Sequence, residues 1–252
     1  MTDIQDFKGR IALVTGASSG IGAACAKALA ARGARKLILV DVDGPGLEAL
    51  GLSCEVEHVV GSVADEALWN DLEPRLAGLD HAIVNAGVGS FGMLAEMSME
   101  QWRRVLDVNL DGAFLTLRAA MRAMKEGGGS AVITSSTTGI KPVAGIGPYG
   151  VAKAAVSHMT RIAALEGAPD SIRVNAIAPG GVDTNIWESS PDFKRSVASQ
   201  GRDATIQAMA ASTPSGRFAT SDEIAGTMLY LLSDTATNIT GHVMVSDGGF
   251  IL

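Results

Sequence analysis

Cysteine is scarce in this 252-residue chain. It has two, Cys25 and Cys54, which give neither a disulfide framework nor a metal-ligand spacing. The four histidines (His58, His81, His158, His242) are scattered singly, so no metal site is expected. Basic charge is also short. Twenty Lys and Arg against 27 Asp and Glu leave a net charge of −7 and a pI near 5.1, which argues against a nucleic-acid-binding or anionic-membrane surface. No apolar run reaches the ~18 residues of a membrane span, and Met1 to Gly9 is polar, unlike a signal peptide. No repeat, low-complexity run or linker divides the chain. The expectation is a soluble, cytoplasmic protein of one domain.

What is abundant is apolar residues, at 47%, and glycine, at 30 positions, which suit a large core and many tight turns. Short apolar runs alternate with longer amphipathic ones. Strands are expected at 10–15, 36–41, 55–60, 79–84, 130–135, 171–177 and 242–246. Helices are expected near 20–32, 65–77, 98–124, 149–167, 190–212 and 221–233, with at most two turns at 44–50. Strict alternation of strand and helix predicts an α/β fold: a doubly wound parallel sheet of about seven strands, with helices on both faces and right-handed crossovers. Ligands of such sheets lie beyond the strand C-termini. The glycine turn after Thr15, Asp41, Ser62, Asn85, Ser136 and Pro179 each follow an expected strand.

Two constellations carry chemistry. The run Arg10–Thr15 reads as a buried strand and leads into Gly16, Ala17, Ser18, Ser19, Gly20, Ile21 and Gly22, then into a helix. That order makes a phosphate cradle, because glycine lets backbone approach a pyrophosphate and a helix start offers free N–H groups. Asp41 ends the second strand, nineteen positions after Gly22, where an acid is placed to bind a ribose diol. A dinucleotide ligand follows, although Gly-xxx-Gly-x-Gly departs from the commoner Gly-x-Gly-x-x-Gly. The second constellation is Tyr149 and Lys153, four residues apart on one helix face, with Ser136 thirteen residues upstream of the tyrosine. A phenol titrates near pH ~10 when unperturbed, and a neighbouring ammonium favours the phenolate. A serine hydroxyl could then hold a carbonyl oxygen where the tyrosine delivers a proton.

Taken together, Thr15–Gly22, Asn85-Ala86-Gly87, Val108-Asn109, Ser136, Tyr149-xxx-Lys153, Asn175 and Pro179-Gly180 resemble the short-chain dehydrogenases/reductases over nearly the whole chain. The resemblance implies a Rossmann-type fold, with a cofactor half at about 1–130 and a catalytic and substrate-loop half at about 131–252. It implies a catalytic set of Asn109, Ser136, Tyr149 and Lys153, and hydride transfer between a nicotinamide and an alcohol or ketone carbon. In that scheme Tyr149 handles the proton and Ser136 orients the oxygen. Lys153 lowers the tyrosine pKa and grips the ribose, and the Asn109 carbonyl holds a relay water. The cofactor would meet Gly16, Ser18, Ser19, Gly20, Ile21, Gly22, Asp41, Ser62, Val63, Asn85, Ala86, Gly87, Tyr149, Lys153, Pro179, Gly180, Val182 and Thr184. Ser62 stands where the family usually has an aspartate for the adenine amino group. Asp41, followed by Val42 and Asp43 with no base nearby, favours NAD over NADP, since a carboxylate accepts ribose hydroxyls and repels a 2′-phosphate. The family is usually tetrameric. Two other readings are a non-catalytic nucleotide-binding regulator and an NADPH-dependent ketone reductase.

Substrate is less legible. By resemblance, 185–215 is a lid that carries specificity, with Trp187, Phe193, Met209 and the run Ser212–Gly216. Phe91, Met93, Ile140 and Val143 read either as pocket wall or as core. With no obvious arginine clamp for a carboxylate or phosphate, a hydrophobic secondary alcohol or ketone is expected, and a cyclic alcohol, terpenol or steroid would fit. Two features point to partner chains: the apolar stripes of 98–124 and 149–167, and the end Gly248–Leu252.

Overall fold

A computed structural model describes residues 6–252; Met1 to Gln5, the first part of the polar opening, lie outside the described residues. Seven parallel strands form one sheet in the order β3-β2-β1-β4-β5-β6-β7. They are β1 (Ile11–Thr15), β2 (Lys36–Asp41), β3 (Glu55–Val60), β4 (His81–Val84), β5 (Gly129–Thr134), β6 (Ile172–Pro179) and β7 (Val243–Ser246). Between them run α1 (Gly20–Ala31), α2 (Gly44–Glu48), α3 (Glu66–Leu72), α4 (Met99–Leu106), α5 (Gly112–Met124), α6 (Gly147–Gly167), α7 (Pro191–Gln200), α8 (Arg202–Ala210) and α9 (Ser221–Leu232). The strand order reverses between β1 and β4, which opens a crevice at their C-terminal ends.

Strand alternation builds two cores. Ile11 and Leu13 of β1, with Ile38 and Val40 of β2, face one side and pack with Trp69, Leu72, Leu117, Ala120 and Val156 from α3, α5 and α6. Ala12, Val14, Leu37 and Leu39 face the other side and pack with Cys25, Leu29, Met228 and Leu232 from α1 and α9. Each such large side chain, fully buried, contributes about 1.5–3 kcal/mol relative to exposure. Among the described residues no helix is long and apolar enough to cross a membrane, and no group of His, Cys, Asp or Glu could hold a metal ion.

Three expected helices are divided. Helix 65–77 gives α3 and then a 3₁₀ turn over Glu73–Leu76, because Pro74 lacks the N–H that would continue the ladder. Helix 190–212 breaks at Gly201, whose φ of +85° suits glycine, between α7 and α8. Helix 98–124 is interrupted by a π-helical turn over Asp107–Asp111. There the Asn109 amide donates to Val105 O at 3.0 Å, competing for a carbonyl of its own helix. Helix starts follow their caps: Ser98 with Gln101 on α4 and Thr220 with Glu223 on α9 form reciprocal boxes, and Asp43, Asp65 and Ser190 cap α2, α3 and α7.

Candidate active site

Beyond the strand ends lies a cavity of about 520 Å³, ample for a small-molecule ligand. Its floor begins at the turn after β1. A Cβ on Gly16 (φ +65°) would stand 2.9 Å from Ala86 Cα, and one on Gly22 would stand 2.0 Å from Gly16 O, so the turn closes only with glycine at both positions. Ser19 precedes α1 without a side-chain cap, and the first turn of that helix holds no acid. Its N–H groups therefore face the cavity with nothing from the chain to neutralise them, which fits the phosphates of a dinucleotide.

Asp41 is tied to that turn. Its Oδ2 accepts from Ser18 N at 2.9 Å and its Oδ1 from Asp43 N at 3.0 Å. A carboxylate has further lone pairs, so both oxygens can still receive ribose hydroxyls. Asp43 is spent elsewhere, accepting from Gly46 N at 3.1 Å to cap α2. Ser62 Oγ accepts from Ala64 N at 3.2 Å within its own turn, and Val63 is buried.

Asn85 joins three strand ends. Its amide donates to Thr15 O at 3.1 Å and Gly16 O at 3.3 Å, its Oδ1 accepts from Thr134 Oγ1 at 3.0 Å, and its backbone N–H reaches Thr15 Oγ1 at 3.0 Å. Asn109, 1% exposed, grips the continuation of β4: its Oδ1 accepts from Val88 N at 3.2 Å and its amide donates to Val88 O at 2.9 Å. A Cβ on Gly87 would stand 2.6 Å from Asn109 Oδ1 and 3.7 Å from Lys153 Nζ, so only glycine lets the chain pass here.

Helix α6 brings Tyr149 and Lys153 to the wall. Lys153 is 3% exposed, donates to Thr134 O at 2.7 Å, and lies 5.5 Å from the centroid of the Tyr149 ring. Burial lowers its pKa to about 8, still above neutral, so the ammonium persists. Tyr149 departs from expectation. Its side chain is half-buried, and desolvation pushes the phenol up to about 12, with Ser136 pulling the other way. Desolvation outweighs the Ser136 hydrogen bond, so the phenol is a weaker acid here than in water. Ser136 Oγ accepts from Thr138 N at 3.2 Å and Thr138 Oγ1 at 2.9 Å, which leaves its own hydrogen free. Ser135 instead faces α6, donating to Lys153 O at 2.9 Å beside Ser157 Oγ at 2.6 Å.

Of the candidate site residues, Gly22 lies behind the glycine turn, and Ser136 stands against the Tyr149 phenol, between Ser135 and Thr138 of the wall, at the edge of the cavity. Gly16, Ser18, Ser19, Gly20, Ile21, Asp41, Ser62, Val63, Asn85, Ala86, Gly87, Asn109, Tyr149, Lys153, Pro179, Gly180, Val182 and Thr184 all line it. The substrate side differs more from expectation. Phe91 and Trp187 are on the wall, but Met93, Ile140 and Val143 are 55%, 48% and 41% exposed and away from it. Phe193 is buried under the Arg202 guanidinium, 5.4 Å from the ring centroid. The C-terminal Phe250 folds onto its own chain, where Lys141 donates to its carbonyl at 2.9 Å. Val88, Ser90, Ile146, Ile186, Ser189 and Arg104 also line the wall. No motif marks them, since loop and lid geometry brings them in. Arg104 brings a guanidinium to the wall, where the sequence shows no obvious arginine clamp.

The lid rests on its own contacts. Trp187 stacks on Phe218 at 5.6 Å between centroids and donates to Val182 O at 2.8 Å. Arg202 pairs with Asp183 and with Glu188, the latter at 3.0 Å, and donates to Thr184 O at 3.3 Å.

Known proteins resemble this chain over nearly its whole length. The family model described as enoyl-(acyl carrier protein) reductase matches residues 16–251. The cis-4-hydroxycyclohexanecarboxylate dehydrogenase of Sinomonas cyclohexanicum is 36% identical over 98% of this chain and 98% of that protein. The 3beta-hydroxysteroid dehydrogenase of Mediterraneibacter gnavus is 34% identical over 97% and 95%. Among solved structures, a short-chain type dehydrogenase/reductase from Mycobacterium marinum superposes with a TM-score of 0.86 at 31% identity, covering 99% of this chain and 98% of that one.

Proposed function

This chain belongs to the short-chain dehydrogenase/reductase family, an oxidoreductase family that uses a nicotinamide cofactor, and we propose that it oxidises a cyclic secondary alcohol with NAD. The observation that carries the reading is the placing of the Tyr149 hydroxyl and the Lys153 ammonium on one wall of the cavity, with Ser136 against the phenol. A bound nicotinamide supplies the hydride acceptor. Tyr149 Oη takes the proton of the substrate hydroxyl, and in the reverse direction returns it. Ser136 Oγ, whose hydrogen is free, donates to the substrate oxygen and fixes it at the phenol. Lys153 holds the ribose hydroxyls and favours the phenolate as the proton leaves. Both amide hydrogens of Asn109 are spent on Val88 O and Val105 O, which fixes the residue, and by the family scheme its main-chain carbonyl holds a relay water.

NAD is favoured over NADP because Asp41 is pinned by two backbone N–H groups at the cavity edge, where its charge repels a 2′-phosphate. The apolar walls at Val88, Phe91, Ile146, Ile186 and Trp187 suit a ring, in keeping with the cyclic substrates that the two relatives are named for. Exposed Phe114 on α5 and Val151, Ile162 and Leu165 on α6 support burial against further copies, and we read the assembly as a homotetramer. The cytoplasm suits its two free thiols.

The test is a panel of cyclic secondary alcohols and ketones, followed by nicotinamide absorbance with NAD(H) and NADP(H) in parallel. Oxidation with NAD is the expected result. Asp41→Ala should remove charge-assisted hydrogen bonds worth about 1.5–3 kcal/mol. It should also raise the NADP/NAD ratio of kcat/KM by more than about tenfold. A native preference for NADP(H) would favour ketone reduction instead.

A further inference from the structure

Two cationic side chains line the cavity, Lys153 and Arg104, and only Lys153 has a part in the chemistry proposed above. Arg104 stands on α4, five residues before Asn109. Its Nη2 donates to Gly89 O at 3.3 Å, which uses one of the five N–H donors of a guanidinium. Arg118 and Arg122 on α5 and Arg202 in the lid each pair with a carboxylate, whereas Arg104 is in no ion pair among the described residues.

The anchoring carbonyl fixes where this charge sits. Gly87 passes directly against Lys153, and Gly89 is two residues further on, at most about 7 Å along the chain. A Cβ on Gly89 would fall 2.3 Å from Ser189 Oγ, so the same residue is pressed against the lid. The free donors of Arg104 therefore stand at the seam between the loop after β4 and the lid. Asp41 ends β2, two strands from β4, and the cavity wall that holds Arg104 also holds Tyr149 and the apolar side chains of Val88, Phe91, Ile146 and Ile186. A substrate with an apolar ring, its hydroxyl-bearing carbon at Tyr149 and an anion toward this seam would use the phenol, the apolar wall and the free guanidinium donors together.

We propose that Arg104 is a specificity-determining residue that selects cyclic alcohols bearing a carboxylate. The proposal rests on the reading of this cavity as an alcohol site. Arg104 is exposed in the isolated chain, so water weakens the pairing. A planar guanidinium still gains from bidentate geometry that an ammonium cannot reproduce.

The experiment compares cis-4-hydroxycyclohexanecarboxylate with its neutral primary amide, in the native enzyme and in Arg104→Met and Arg104→Lys. The native enzyme should prefer the carboxylate. Arg104→Met should raise KM for the carboxylate by about tenfold, the loss expected for a charge-assisted hydrogen bond, with kcat and the amide kinetics unchanged. Arg104→Lys should restore part of the difference. Calorimetric binding of the unreactive pair cyclohexanecarboxylate and cyclohexanecarboxamide reads the same contact without turnover. The acid should bind the native protein more tightly, and Arg104→Met should erase that advantage. Equal affinity for acid and amide in the native protein overturns the role of Arg104, even if neutral alcohols are oxidised. If no alcohol is oxidised but the acid is still selected through Arg104, the charge recognition stands and the alcohol-site reading falls.

Discussion

On the sheet side of the cavity, the side chains of Thr15, Asn85, Thr134 and Lys153 bond one another and the strand ends between them, mostly out of contact with water. On the lid side, Arg202 reaches Asp183 and Glu188 through partly exposed side chains, with about half of each carboxylate open to solvent. The sheet side loses stability whenever a single partner goes, because a buried polar group left unpaired costs its full desolvation. The lid side exchanges its ion pairs for water and ions at little cost. A site that must hold a reacting oxygen still and yet let it in and out needs both kinds of wall.

The largest expected break comes where the rigid side meets the chemistry. Tyr149→Phe keeps the ring and deletes the proton acceptor, so turnover should fall by at least about two orders of magnitude while cofactor still binds. Steady-state kinetics with a cofactor titration checks it, and a mutant with most of its activity would make Tyr149 a packing residue. In the native enzyme, a phenol raised to about 12 keeps the base form scarce near neutral, so oxidation should speed up as pH rises toward that value.

Asn85→Ala tests the rigidity itself. It strands Thr15 O, Gly16 O and the Thr134 hydroxyl, and should lower unfolding stability by about 1–3 kcal/mol, measured by urea denaturation. Unchanged stability would mean that water replaces the amide and that the sheet side is no stiffer than the lid. The smallest effect belongs to Arg202→Ala. Loosening exposed ion pairs worth about 0.2–1 kcal/mol should shift KM a few-fold at low salt and less at high salt. A large, salt-independent loss would mark the lid as rigid and erase the contrast.

The same contrast separates what could be read from the sequence from what could not. Sheet-side residues sit at strand ends, and strands announce themselves through apolar runs such as Ile11–Thr15 and Lys36–Asp41. Their partners are set by strand order, so Asn85 and Asp41 can be placed from the sequence, and Lys153 follows from its four-residue spacing to Tyr149 on α6. The wall on the lid side is assembled from segments far apart in sequence. Ile146, Ile186 and Arg104 come together only through tertiary packing, and Met93, Ile140 and Val143 look equally eligible by composition yet point elsewhere. The three expected helices divide for one reason: Gly201, Pro74 and Asn109 are local interruptions inside sustained apolar periods. The net upward shift of the phenol is not legible in the sequence, because it comes from burial in the fold and not from the lysine four residues away.

The π-helical turn at Asp107–Asp111 also acts as a phase shifter. Such a turn takes up one more residue than an α-helical turn, and each residue advances the helix by roughly 100°. The face that α5 presents is thereby rotated relative to that of α4. This lets the first helix aim Arg104 at the cavity while the second sends Leu117 and Ala120 into the core. Adding or removing a single amino acid in this segment would re-phase the two faces against each other, so the length of the turn, as much as the identity of Asn109, is what couples the pocket wall to the packing behind it.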